Sequence, residues 1–495
     1  MKIAIAAVAV ALLSSSALAQ EVKDSLTIDL ANDAATLDPH LQWDRDSYTI
    51  YRNIFDNLLK RDEAGEIAPE IATSWDYVDD TTIVFQIREG VTFQDGSELT
   101  AEDVAFSIER IIDPELQSPQ LSQFDQIESA EATSPTEVRV VTKSPYPVLL
   151  AQLVKLSIVP SDYVESIGNA EFNQKPIGSG PYRLENYQRG VETVLTANAD
   201  YWEGPPPFQT VTFRSVPDVS TRVADLRSGR ADLVGQLTPD QAISLEGEPG
   251  IEILSTPTER IGYLYLNAQS GPTTDVRVRQ AIAHSIDRQG IVEALLQGYG
   301  EAVEIIGAPV IFGYTDEVTG YEYDPERARE LVAEAGAEGQ TVQFLTSPSY
   351  DRAIVEAIQQ MINESGLVTE IVALDHASFL QRRQGPADGA GSMALGIWSC
   401  ACQDADGIIF PLFRTDSIWA KYGNPEFDAL VDAARATLDE PERLDLYKQA
   451  YAIIQADVPG IGIYQYYSIY GVNENLDWQP TASESMFIKE MGWGQ

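Results

Sequence analysis

Three helix starts in the second half of the chain, alternating with strand-like segments, restrict its fold more than any other feature. Asp275 opens DVRVRQAIAHSIDR, in which Val278, Ala281, Ile282, Ser285 and Ile286 fall on one face. Asp324-Pro325 opens a second helix, with Ala328, Leu331, Val332 and Ala335 inward and Gly336 as its stop. Asn424-Pro425 opens a third, with Phe427, Leu430, Val431 and Ala434 inward. The strands TVQFLTS and TEIVALD lie between them, and this alternation predicts an α/β domain, because each apolar helix stripe needs a sheet face to cover it.

The first half reads differently. From Ser25 an alternating strand ends in the turn of LDP, and YTIYRNIFDNLL predicts a helix with Tyr48, Tyr51, Ile54, Phe55 and Leu58 on its inner side. Two short strands follow, joined at Asp79-Asp80, then a turn at Asp95-Gly96. Next comes a helix capped by Thr100 with Asp103 at its third position, its apolar face formed by Val104, Ala105 and Ile108. EVRVVTK and a strand near Leu156 to Pro160 continue this α+β unit, which closes at KPIGSGPYRLENYQ. Strand pairing resumes through VETVLTANADYW and TVTFRSV, ADLRSGRADLV gives a helix and a strand, and YLYLNAQ, Tyr263 to Gln269, is a strand leading out of the region.

The opening MKIAIAAVAVALLSSSALAQ holds an apolar run from Ile3 to Leu13 and Ala17-Leu18-Ala19 before Gln20, the pattern of a signal peptide over residues 1–19. No cysteine follows that run, so a lipoprotein is not expected, and no later stretch reaches the roughly 18 to 20 apolar residues of a membrane span. The expectation is a soluble periplasmic protein. Roughly 475 residues remain after the leader, more than one core usually supports, so two or three domains are expected. Lys and Arg number 33 against 76 Asp and Glu, a formal net charge of −43. Such a surface repels nucleic acid and anionic lipid over a Debye length of about 8 to 10 Å, and both are excluded as partners.

Catalytic signatures are missing. His40, His284 and His376 are scattered, no H-E-x-x-H or G-x-S-x-G occurs, and His284 lies between apolar positions of a capped helix, where a structural role is expected. PIGSGPY has glycines but no Lys-Ser/Thr ending and no following helix, which indicates a tight turn rather than a phosphate loop. Cys400 and Cys402, the two cysteines of the chain, stand in WSCACQDADG; without a second pair or histidines they do not close a zinc site, so neither a metal nor a cofactor is expected. An exported protein with an even cysteine count favours a disulfide, yet a bridge between residues two apart closes a small ring, and two small buried thiols are the expected state.

Taken in order, these segments resemble the family 5 extracellular solute-binding proteins of ABC transporters, which bind peptides, opines and nickel. The resemblance rests on TLDPHLQWDRDSYTIYRNIFDNLLKRDEAGEIAPEIATSWDY, FQIREGVTFQDGSELTAEDVAFSIERI, PIGSGPYRLENY with ADYWEG, DVRVRQAIAHSIDRQGIVEALLQGYG, YDPERARELVAEAG and the closing NPEFDALVDAARATLDEPERLDLYKQAYAII. It implies a periplasmic-binding-protein-like α/β fold of two lobes around a hinge, with an extra α+β domain inserted into the first. Carried over, lobe I comprises residues 20–54, 178–268 and 462–495, the inserted domain 55–177 and lobe II 269–461. The implied protein is a monomer without catalytic residues. It closes on a peptide-like or amino-acid-derived solute and delivers it to an inner-membrane ABC permease with its ATPase. An opine, a sugar conjugate or a metal chelate in the same cleft is the alternative.

The resemblance also supplies candidate ligand contacts. Peptide binders of the family commonly carry W-x-A-D-Y-x-D-P, whose acid three residues after Trp grips the ligand's ammonium group; here Ala401 stands at that distance from Trp398. An ammonium buried without its partner loses several kcal/mol, so the ordinary grip on a free-amino peptide is not expected. The form W-S-x-x-x-x-D-A-D is closer to the glutathione-type members, and Trp398, Ser399, Cys400, Ala401, Cys402, Asp404 and Asp406 are candidates; the two acids can equally cap a helix starting near Gly407. Further candidates are Trp43, Asp44 and Arg45 after the first strand, Arg260 and Tyr263 at the crossing strand, and Tyr464 and Tyr466 in the return GIYQYYSIY. Arg382 and Arg383 in FLQRRQG offer guanidinium forks for a carboxylate, or form a solvated helix face.

Overall fold

The three helix starts form as the local signals dictate. Asp275 accepts from the Arg277 N–H, Asp324 from those of Glu326 and Arg327, and Asn424 from those of Glu426 and Phe427. Gly336 ends the second helix in the left-handed conformation, φ 66°. The computed structural model describes residues 23–41, 44–62 and 65–494, so the expected leader lies outside the described residues.

Among the described residues, one sheet of eleven strands runs through the molecule. Its two longest strands, Ile251–Leu266 and Gly460–Asn473, pair antiparallel and carry the chain between the two halves. Beyond Gly460–Asn473 lie Leu233–Val234, Ser25–Leu30, Thr210–Ser215, Glu192–Ala197 and Tyr182–Gln188; beyond Ile251–Leu266 lie Met393–Trp398, Thr341–Thr346 and Val368–Ala373. The parallel neighbours Thr341–Thr346 and Val368–Ala373 require a crossover, and the helix Arg352–Glu364 supplies it. Its Ile354, Val355, Ile358 and Ile362 share one core with Val342 and Phe344.

Where the long strands pass from one half to the other, their register shifts between Pro257 and Ile261. Pro257 lacks the N–H that a ladder uses, and the irregular segment is held instead by Thr258, whose hydroxyl donates to the Tyr466 carbonyl at 2.7 Å while its own carbonyl accepts from Gln465 Nε2 at 2.7 Å. A bulge of this kind bends and twists a strand, and it re-aims Glu259 and Arg260. The strand expected to begin at Tyr263 therefore begins at Ile251, its first half hidden in the sequence by the polar run STPTER.

A second sheet of four strands, in the order Ala72–Asp79, Thr82–Ile87, Glu137–Thr142, Ile127–Ser134, packs on the helix Ala101–Ile112. That helix carries the Thr100/Asp103 capping box read from the sequence. The core of this unit runs from Leu58 to Ile158, with Cys402 reaching in from the other half. Val159, Val164 and Phe172 join the core of the Ser25–Leu30 region instead.

Two local expectations change. The helix expected over Tyr48 to Leu59 covers Arg45–Tyr51. Past it the Asn53 and Ile54 carbonyls turn to accept from Tyr182 N and Gly180 N, both at 2.9 Å. PIGSGPY is thus a close backbone seam. A Cβ on Gly178 would stand 2.2 Å from the Ile54 carbonyl oxygen, which is why glycine is needed there. Leu156 to Pro160 is not a strand: Ser157 makes a single bridge with Asn57.

Candidate functional site

A cavity of about 550 Å³ opens beside the bulge of the long strands. The loop after Ser25–Leu30 and the start of the helix Arg45–Tyr51 contribute Asp33, Asp44, Arg45, Asp46 and Tyr48, and the four-stranded unit contributes Lys155. Glu259 and Arg260 come from the bulge, Ser399 and Ala401 from the loop after Met393–Trp398, and Glu484 from the C-terminal tail.

The charges are unevenly matched. Glu484, with a side chain 3% exposed, accepts from Arg260 Nε at 2.6 Å and also from Arg45 Nη1 and Ser468 Oγ. Burial pushes its carboxyl up, but the Arg45 and Arg260 guanidiniums hold it below its ordinary value. Two guanidiniums on one carboxylate leave a surplus positive charge at the wall. Glu259 is the opposite case. It is 7% exposed, and its Oε2 has no hydrogen-bond partner among the described residues. Burial raises its pKa, with Lys155 acting against the rise. Asp46 is also raised by burial, and it accepts from Asn32 Nδ2 at 2.8 Å and Gln236 Nε2 at 3.1 Å. Among the described residues, no group of three or more His, Cys, Asp or Glu side chains is placed to hold a metal ion.

A cleft between two sheet-sharing halves, charged at its floor and bordered by a hinge-like bulge, is a binding architecture. Residues 66–419 match the family model described as bacterial extracellular solute-binding proteins, family 5. The chain belongs to that family. With membership goes the function: solute binding for an ABC importer. Heme-binding protein A of Haemophilus influenzae is 30% identical over 437 residues, covering 80% of this chain and 79% of that protein. The glutathione-binding protein GsiB of Escherichia coli K12 is 29% identical over 475 residues, covering 92% of this chain and 91% of that protein. The structure of the periplasmic binding protein DppA from Helicobacter pylori, in complex with the peptide STSA, superposes with a TM-score of 0.79 at 26% identity, covering 96% of this chain and 99% of that one.

Of the residues singled out in the sequence of this solute-binding protein, Asp44, Arg45, Arg260, Ser399 and Ala401 line the cavity, and Trp43 lies outside the described residues. The others stand elsewhere. Tyr263 and Tyr464 are core residues, 4% and 2% exposed, whose rings fill the space above Gly396 and Gly262. Tyr466 is half-exposed near the ring of Tyr464. Arg382 donates to the Gly389 carbonyl at 2.9 Å, while Arg383 is buried over the ring of Tyr265 at 3.2 Å and donates to the Trp419 carbonyl at 3.0 Å. Trp398 turns its Nε1 to the Gly407 carbonyl at 2.8 Å. Among the wall residues that the sequence did not single out as contacts are Asp33, Asp46, Lys155, Glu259 and Glu484. A Glu-Arg pair set directly before the apolar IGYLYL was a usable signal for Glu259; nothing in TASESMFIKE marks Glu484.

Cys400 and Cys402 are joined in a disulfide, where two thiols had been expected. The loop brings their Cα atoms to 5.1 Å, within the span a bridge needs. The helix Asp406–Phe413 packs directly under the bridge, and a Cβ on Gly407 would meet Cys400 Sγ at 2.2 Å. Arg61 Nη2 donates to the Cys402 carbonyl at 2.7 Å, tying the loop to the four-stranded unit.

Asp404 and Asp406 are not at the cavity. Asp404 accepts from the Asp406 N–H at 2.9 Å, a helix-start contact, but its carboxylate is engaged by Arg443. Asp406 is buried with Arg435 at 3.6 Å, its Oδ1 has no partner, and burial pushes its pKa up to about 6, with Arg435 opposing. The folded value lies above the unfolded one, so the favourable protonated state is fully present below about pH 4 and is lost as pH rises to about 6. Asp406→Asn is therefore expected to stabilise the ligand-free protein by about 2 kcal/mol at pH 7.5 and by little at pH 4, measured by urea unfolding. An equal effect at both pH values would show that the carboxyl does not titrate in this range.

Proposed function

We propose that the cavity takes a peptide-like or amino-acid-derived solute, which the protein carries in the periplasm to an inner-membrane permease and its ATPase. The observation that carries this reading is the pairing of opposite surplus charges in one cavity: the Arg45–Glu484–Arg260 trio and the buried carboxylate of Glu259. A zwitterion complements both, and the cavity volume suits a small molecule of that kind. The likeness to a glutathione-binding protein and to a peptide-bound structure supports the same class. No group for chemistry on the solute is part of the reading, and binding proteins rather than enzymes stand among the relatives. Ala401 lines the wall without a charge, which supports a ligand held otherwise than by an acid from the 398–401 loop.

A thermal-shift screen of the mature protein against di- to pentapeptides, glutathione, opines, oligosaccharides and metal chelates tests the class. A true ligand at about 100 times its Kd adds about 2.7 kcal/mol, a readable rise in Tm. Rises confined to oligosaccharides or metal chelates would refute it.

A further inference from the structure

The Gln403 side chain and the charge of Lys155 both act on the Glu259 carboxyl, yet one of its two oxygens, Oε2, is left without a structural task. Its Oε2 is buried, accepts no hydrogen bond among the described residues, and lines the cavity. Lys155, Arg260 and Arg61 contribute charge from nearby, but among the described residues no Lys or Arg nitrogen approaches it within ion-pair distance. A buried carboxylate oxygen left unmatched is costly, and a fold tolerates it where something outside the chain supplies the donor. That donor is a cation of single charge. A multivalent metal would need several further ligands, which the described residues do not assemble, and it would face the neighbouring Lys and Arg groups. Lining the same cavity, the Arg45–Glu484–Arg260 trio has one positive charge more than its own carboxylate neutralises.

We infer that Glu259 receives the primary ammonium of the solute, in place of the acid absent at Ala401, while Arg45 and Arg260 receive its carboxylate. The inference rests on the amino-acid-derived reading above and sharpens it: the ligand is a zwitterion whose ammonium end lies at the hinge bulge. The placement has a mechanical consequence. Glu259 sits on the irregular segment between the two register frames of the long strands, so a ligand bonded to it loads the segment through which the halves are joined.

The test uses isothermal titration of the intact mature protein with di-, tri- and tetra-alanine and glutathione, each with its N-acetylated and its carboxyl-amidated counterpart. For wild type, at least one unmodified probe binds, and either modification weakens it by about tenfold or more. For Glu259→Gln, the unmodified and amidated probes each weaken by about 10- to 100-fold while the N-acetylated probe changes less than about threefold, so the preference for a free amine collapses. Ligand-free Glu259→Gln should melt at or above the wild-type temperature, because the oxygen it replaces has no partner. Equal binding of the unmodified probe by both proteins, equal weakening of the unmodified and the N-acetylated probes, or a lower ligand-free Tm would overturn the role of Glu259 and leave the amino-acid-derived class standing. Indifference to amidation would overturn the carboxylate half. If no unmodified probe binds wild type, the ligand class itself is wrong and the inference goes with it.

Discussion

Asp404→Ala is expected to cost about 3–5 kcal/mol of ligand-free stability, the loss that follows when one partner of a buried ion pair is removed. Asp404 and Arg443 side chains are 5% and 4% exposed, and two guanidinium nitrogens meet the two carboxylate oxygens at 2.7 Å each. Arg443 also donates to the Ala434 carbonyl at 3.0 Å and to Tyr447 Oη at 2.8 Å, and its guanidinium lies over the ring of Phe312 at 4.7 Å. Alanine leaves that guanidinium charged and dry beneath aromatic rings, with nothing to replace two charge-assisted bonds. Arg443→Met should cost a similar amount by stranding the carboxylate. The double variant Asp404→Leu/Arg443→Met should be much less destabilised than either single variant, because the desolvation cost of both ions disappears together. Urea unfolding followed by circular dichroism reads all three. A loss below about 1 kcal/mol for Asp404→Ala, accompanied by loss of ligand affinity, would instead make Asp404 the ligand contact that the resemblance had implied.

Asp404 also shows where sequence reading stops. The helix starts at Asp275, Asp324 and Asn424, the Thr100/Asp103 box and the Gly336 stop were legible because each signal and its consequence lie within four residues. The partner of Asp404 lies 39 residues away in the helix Glu440–Asp457, and that of Glu484 lies 224 residues away in Arg260. No periodicity reports such distances. The order of the eleven-stranded sheet escaped for the same reason: the pairing of Ile251–Leu266 with Gly460–Asn473 joins segments that stand far apart in the sequence. FLQRRQG shows two equivalent arginines, and only packing distinguishes Arg383, stacked on Tyr265, from its neighbour on the open side. The resemblance pointed to loops that flank the crossing strands, and from these Arg45, Arg260 and Ala401 line the cavity. Asp404, named by the same resemblance, is packed in the core against Arg443.

Glu484→Gln should produce the other large effect, a loss of about 3 kcal/mol or more at neutral pH. Among the described residues the carboxylate is the one acid ion-paired with both Arg45, at the start of the first helix, and Arg260, on the bulge, and Ser468 of the second long strand also donates to it. It therefore joins the C-terminal tail, the helix Arg45–Tyr51 and the bulge of the long strands at one carboxylate. Gln keeps the shape but leaves two guanidiniums, each under a third exposed, repelling across a neutral amide. The pH dependence separates this electrostatic cause from simple misfit. The folded carboxyl is held below its ordinary value, so its contribution is present above about pH 4.5 and is lost as pH falls through the lower folded value. Wild type should thus lose stability on acidification by more than Glu484→Gln does, and the gap between them should narrow steadily below about pH 4.5, read as the difference in urea midpoints. A gap that stays constant down to pH 3 would mean that the substitution acts through packing, and that the surplus charge assigned to this wall of the cavity is not held by Glu484.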